Sequence, residues 1–136
     1  MTEISDDELV RTIGEFIELG HVENIVAMFK QDPGYYRLTG ELLRDERFVV
    51  RMGMVVLFEE LAAVRPDEVS LAVPTLLPLL GEEQSYIRGE AVTLLGLIAT
   101  REALDALEPL RQDPEPQIVE IVNDILEEKR AVLETK

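Results

Sequence analysis

The sequence predicts an all-α fold, an α-solenoid (superhelix) of about four antiparallel helical hairpins. Three observations predict it. Apolar residues recur at helical spacing in segment after segment, and no stretch alternates with period 2 for long enough to argue a strand. Breaks rich in Gly, Pro and Asp separate those segments. Sliding the chain along itself superposes one helix pair on the next.

The elements follow in order. Ser5 and Glu8 form a capping-box signature, and the helix they open carries Leu9, Ile13, Phe16 and Ile17 as its apolar stripe until Gly20 ends it. A second helix buries Val22, Ile25, Val26 and Phe29 before Asp32-Pro33-Gly34 breaks the chain. Tyr35 to Arg44 reads as one short helix with Leu38, Leu42 and Leu43 inward. After a turn at Asp45 comes a longer helix with Val50, Met54, Leu57, Phe58 and Leu61 on its core face, stopped by Arg65-Pro66-Asp67. Val69, Ala72 and Val73 lead into Pro74–Ile98, where a short apolar helix, a polar turn with Gly81 and Glu82, and a second apolar helix follow one another. Thr100 starts a helix holding Ala103, Leu104, Leu107 and Leu110. Asp113-Pro114 reads as an N-cap with a first-turn proline, opening a last helix with Ile118, Val122, Ile125 and Leu126 inward.

An offset of 31 pairs Ala72 with Ala103, Leu76 with Leu107, Pro78 with Pro109, Leu79 with Leu110, Glu82 with Asp113, Ile87 with Ile118 and Leu94 with Ile125. An offset of 37 pairs Leu42 with Leu79, Val50 with Ile87, Arg51 with Arg88 and Leu57 with Leu94. The extra residues fall in the connection around Val64 to Ser70, outside the packed faces. Each hairpin has too little surface to bury its own stripe, and stacking supplies what is missing. The expected organisation is one domain over 1–136: a degenerate capping pair at 1–32, then repeats at 34–64, 66–99 and 100–133.

These residues carry a family resemblance. A proline-containing leucine helix, an acidic turn and then V/I-R-x-x-A-x-x-L-L-G resembles the HEAT repeats, in particular the short HEAT-like repeats of the phycobilisome-lyase type. Ile87, Arg88, Ala91, Leu94, Leu95 and Gly96 fit that motif closely. Val50, Arg51 and Leu57 fit it in part, with Met54 in place of Ala, and Val119 replaces the Arg in the last repeat. The resemblance implies that Arg51 and Arg88 are structural, bonding acidic turn residues of an adjacent repeat. Asp45, Glu82 and Asp113 are the acceptors to choose among, since a buried Arg is tolerated only when paired. An anion clamp is the functional alternative for the two arginines.

Composition bounds the function. A chain of 136 residues with 46% hydrophobic content is one folded domain, not a disordered segment. It carries 28 acidic and 13 basic residues, a net of −15, so a phosphate backbone is repelled and no nucleic-acid partner is expected. The acidic N-terminus MTEISDDELV lacks a basic signal-peptide region, and no apolar run approaches the ~20 residues of a spanning helix. No membrane association is expected, and a cytoplasmic location is. Cysteine is absent, which removes disulfides and thiolate metal sites.

No catalytic, cofactor-binding or metal-binding residue is predicted. His21 stands alone at a helix junction near Glu18 and Glu23, short of the convergent ligands a transition metal needs. Adjacent acidic pairs such as Glu59-Glu60 and Glu82-Glu83 point ~100° apart on a helix and form no acid–base dyad.

In HEAT stacks the second helices line the concave side. The faces opposite the expected core hold Met52, Val56, Glu59 and Glu60 on one helix. Gly89, Thr93 and Leu97 follow on the next, and Glu120, Asp124 and Glu127 on the last. An apolar patch rimmed by charge suits a partner protein, while the competing reading packs Val56 and Leu97 between helices. The expected function is therefore a non-enzymatic adaptor that holds a basic or amphipathic helix or peptide on this face. An accessory or maturation subunit of an enzyme complex is the alternative, and a small enzyme of lyase type a more distant one. Self-association through the open ends of the stack is a further expectation.

Overall fold

A computed structural model describes residues 4–135, which form eight α-helices and four short 3-10 segments, with no strand among them. Helix α1 spans Asp6–Glu18, its first turn capped by Ser5, whose Oγ accepts from the Glu8 amide at 3.1 Å. Its end is closed by Gly20 at φ 89°, a left-handed backbone that costs glycine nothing. There the Gly20 amide reaches the Ile17 carbonyl and the His21 amide the Phe16 carbonyl, so two orphan acceptors are satisfied. Helix α2, Val22–Gln31, returns at once along α1.

The first members of the next three pairs are not continuous α-helices. A 3-10 segment, Pro33–Leu38, precedes α3, Thr39–Leu43. Val69–Ala72, α5 (Val73–Leu76) and Leu77–Gly81 share the next, and α7 (Arg101–Leu107) passes into Glu108–Gln112 in the third. Pro33, Pro78 and Pro109 sit at the start of their 3-10 segments, where a missing N–H removes the i→i−4 bond and the chain tightens. Leucine periodicity shows that these stretches are helical but not which kind. The segment expected as one helix over Tyr35 to Arg44 is thus corrected to two.

The second members are long: α4, Phe48–Val64, α6, Ser85–Ile98, and α8, Pro116–Glu134. Helix α8 begins later than expected. Asp113 makes an Asx turn, its Oδ1 accepting from the Glu115 amide at 2.9 Å, and Pro116 rather than Pro114 occupies the first helical turn. Helices α2, α4, α6 and α8 pack side by side in that order, each backed by the first member of its pair.

One core runs the length of the stack between the two rows of helices. The expected core residues of α4, Val50, Met54, Leu57, Phe58 and Leu61, are all buried. Tyr36 adds an aromatic link, with ring centroids 5.0 Å from Phe29 and 6.0 Å from Phe58, tying the first helix pair to the second. Phe16, expected in the core, is exposed instead and leaves the α1 stripe to Ile13 and Ile17.

Candidate functional site

Helix α4 is where sequence and solvent disagree. Over FVVRMGMVVLFEELAAV only Arg51, Glu59 and Glu60 are charged, so the helix is apolar nearly all round. Its inner side is fully buried. On the other side Phe48 and Val49 are exposed, as are Met52 at 40% and Val56 at 46%, and Glu59 and Glu60 end the stripe. Those exposures exclude the packing of Val56 between neighbouring helices.

Gly89, Thr93 and Leu97 line a furrow between α6 and α8. They are half-buried, and Leu97 packs partly against the core. The furrow has two halves of about 310 Å³ each, which share Thr93 and Ile121. One half is walled by Tyr86, Glu90 and Glu115; the other by Gly96, Leu97 and Ile125, with Glu128 and Lys129 at its end. Glu120, Asp124 and Glu127 are exposed but do not line it. On α8, Ile121 is shared by both halves, Gln117 and Ile118 line the first and Ile125 floors the second, where α8 closes on Gly96. A smaller cavity of about 260 Å³ lies between Val56 and Glu60 on α4 and the exposed His21 at the start of α2.

The two arginines beneath this face are built alike at one end and differ at the other. Arg88 Nη1 donates to the carbonyls of Glu82 and Glu83 at 2.8 and 2.9 Å, fastening the turn that precedes its own helix. Arg51 Nη1 does the same for Asp45 and Glu46, at 2.8 and 3.0 Å. Arg88 then forks onto Asp113 of the following turn. Arg51 has no such carboxylate: Glu82, the residue equivalent to Asp113, pairs with Arg44. Adding 37 to Arg44 lands on Gly81, so nothing competes for Asp113, whereas Arg44 draws Glu82 away. The expectation that both arginines reach an acid of the adjacent repeat is corrected for Arg51. Its Nε is buried without a partner, and its guanidinium stacks on Tyr86, 4.4 Å from the ring centroid, with Phe48 at 5.7 Å.

Electrostatics follow from these contacts. The hydrogen bonds from Arg88 hold the Asp113 carboxyl below its usual range despite burial, helped by the Glu115 amide. Bonds from Arg47 do the same for Asp45. Glu90 is opposite: burial pushes its carboxyl up, and the Arg51 charge offsets this only in part. No described residue donates a hydrogen bond to the carboxylate of Glu90 or Glu115 or pairs with it. No grouping of His, Asp and Glu suited to a metal ion occurs among the described residues.

Sequence reasoning passed over Tyr86, Glu90 and Ile121. A signal for Glu90 existed: it falls 37 residues after Gly53, which is closely overlaid by Ile17, so a carboxylate replaces a position of tight helix contact. No helix among the described residues is long and apolar enough to cross a membrane.

The family profile for HEAT repeats matches residues 36–122, more than half of the chain, from Tyr36 in the first 3-10 segment to Val122 in the middle of α8. No curated protein and no solved structure matches the chain. HEAT repeats serve in general as protein-interaction scaffolds. With helices stacked in adjacent pairs and the profile spanning three of them, the chain belongs to the HEAT-repeat family.

Proposed function

We propose that the protein is a non-enzymatic adaptor, and that the row formed by α4, α6 and α8, the concave side in HEAT stacks, is its binding face. The observation that carries this reading is the exposed apolar stripe of Val49, Met52 and Val56 on α4, in a chain otherwise crowded with surface charge. Glu59 and Glu60 end the stripe, and Glu120, Asp124 and Glu127 add exposed negative charge on α8 in the same row, so the partner segment is basic or amphipathic with basic flanks. A cytoplasmic setting belongs to the same reading, as does the finer likeness to repeats of the phycobilisome-lyase type. The latter rests on Ile87, Arg88, Ala91 and Leu94–Gly96, of which Arg88 pairs with Asp113 and Ile87, Ala91, Leu94, Leu95 and Gly96 are buried.

Charge reversal tests the proposal. Replacing Glu59, Glu120 and Asp124 by Lys weakens capture of the partner from host extract and flattens its salt dependence, while the melting temperature stays near that of the parent. Unchanged capture would remove the acidic face from the account.

A further inference from the structure

We infer that the furrow between α6 and α8 is a two-point site for a helix of a partner protein carrying an aliphatic side chain and, seven residues away, an Arg or Lys. This rests on the adaptor reading and names the occupant of one part of that face. The two halves of the furrow differ in chemistry. In the half next to the start of α6, Glu90 and Glu115 stand in one cavity beside the Tyr86 ring; no described residue forms an ion pair with either, and Arg51 and Arg88, whose charges reach Glu90 and Glu115 respectively, are bonded elsewhere. In the other half, Gly96, Leu97, Ile121 and Ile125 make an apolar floor, and Lys129 stands at its end. Glu128 and Lys129 offset each other at the end of the apolar half, whereas the other half holds two carboxylates, so the basic side chain is directed to Glu90 and Glu115. Arg51 does not fill that role from within: its Nη1 is held by the Asp45 and Glu46 carbonyls.

The spacing selects a helix. Glu90 and Leu97 are seven residues apart on α6, roughly 10.5 Å along the axis at 1.5 Å per residue. A helix lying along the furrow brings residues i and i+7 to the two points on one face. An extended segment spans that distance in about three residues, which places the two side chains on opposite faces. Binding also relieves a cost, because a cation beside Glu90 compensates a carboxylate that burial disfavours.

The test uses the full chain, isotope-labelled for amide NMR, and three alanine-based helical peptides. The first carries one Leu with Arg at i+7; the second moves the Arg to i+9, on the far side of the helix; the third has Glu at i+7. The first is expected to shift the amides of Gly89, Thr93, Gly96 and Ile121 and to bind about fivefold tighter than either other, the worth of one exposed ion pair of ~1 kcal/mol. Gly89→Leu is the blocking variant. A Cβ at Gly89 meets only Ile118, at 3.9 Å, so the fold accepts the change while the side chain fills the furrow. Its melting temperature should be unchanged or raised and its peptide response lost. Glu90→Gln with Glu115→Gln should remove the preference for Arg over Glu and keep the response at Gly96. Equal binding of the three peptides, or a response at Gly89→Leu equal to the parent's, would overturn the inference. Shifts gathered at Met52 and Val56 instead would overturn it too, and leave the wider adaptor reading standing.

Discussion

Arg88 joins two repeats by a forked bond to Asp113, Nε to Oδ2 at 2.9 Å and Nη2 to Oδ1 at 3.0 Å, with both side chains nearly out of solvent. The same guanidinium ties down the Glu82 and Glu83 carbonyls. One side chain thus closes its own turn and docks the next one. Removing it strands a buried carboxylate as well as two carbonyl acceptors. Arg88→Ala should cost about 3–5 kcal/mol in urea unfolding. Arg88→Lys, which keeps the charge but not the fork, should recover only part of that. Arg51→Ala, which strands no carboxylate, should cost less, about 2 kcal/mol from the lost carbonyl bonds and ring stacking.

The same pair sets an acid limit. The Asp113 carboxyl titrates lower folded than unfolded, so its contribution is full above the unfolded value of about 3.9 and is lost as pH falls through the folded one. Asp45 adds a contribution of the same sign. Asp113→Asn should therefore lower stability at neutral pH and reduce the loss between about pH 4 and more acid solution. Glu90 has the opposite sign. Its folded carboxyl titrates high, so it weakens the fold at neutral pH and that penalty disappears as pH falls through its folded value. Glu90→Gln should raise the melting temperature at pH 7, with the gain shrinking toward acid.

Two glycines at helix contacts should respond differently to alanine. A Cβ at Gly40 would overlap the Thr75 carbonyl oxygen, and the Gly40 amide donates to Thr75 Oγ1 at 3.1 Å, so α3 and α5 touch through backbone that cannot step aside. Gly40→Ala should destabilise by about 2 kcal/mol or more despite its better helix propensity. At Gly96 the obstacle is a side chain and not backbone: Ile125 Cδ1 at 2.7 Å can turn away, and its Cγ1 and Cγ2 at 3.0 and 3.1 Å need give by only a few tenths of an ångström. Gly96→Ala should fall within about 1 kcal/mol of the parent, since the gain in propensity offsets the repacking. Thermal or urea unfolding of the two variants separates them.

Ala99 ends α6 with φ 57°, in the left-handed region where Cβ is crowded. Glycine relieves that strain at a smaller entropic cost in the unfolded chain. Ala99→Gly should stabilise by about 0.5–1 kcal/mol, a rise of roughly 2–4 °C in melting temperature. A fall would mean that the Ala99 methyl does more in packing than its strained backbone costs.

The stack was legible because its signals are redundant. The offsets of 31 and 37 repeat the same apolar choices at Leu42, Leu79 and Leu110, and the second helices bury the residues their periodicity names, save the half-buried Val22 and Ile125. Local geometry was less legible. Periodicity does not separate a 3-10 segment from an α-helix near Pro78 or Pro109, and Asp113-Pro114 resembles a cap although the helix waits for Pro116. The arginine partners depended on competition in space: whether Glu82 turns to Arg51 or Arg44 is decided by a neighbour that the other boundary lacks. On the candidate face, the stripe of α4 could be read from the sequence because the helix carries so few charges. Which residues of α8 turn to the furrow could not, since Glu120 and Ile121 differ by one position and helix rotation is fixed by the contact of Ile125 with Gly96.

Site-specific photocrosslinking tests the binding face most directly. A photoreactive residue placed at Val56 in the full chain, expressed in the host, should crosslink a discrete protein partner through a basic or amphipathic segment. The same probe at Glu102, exposed on α7 in the other row of helices, should give no such product. A partner captured from Glu102 and not from Val56 would contradict the assignment of the α4, α6 and α8 row as the face that holds it.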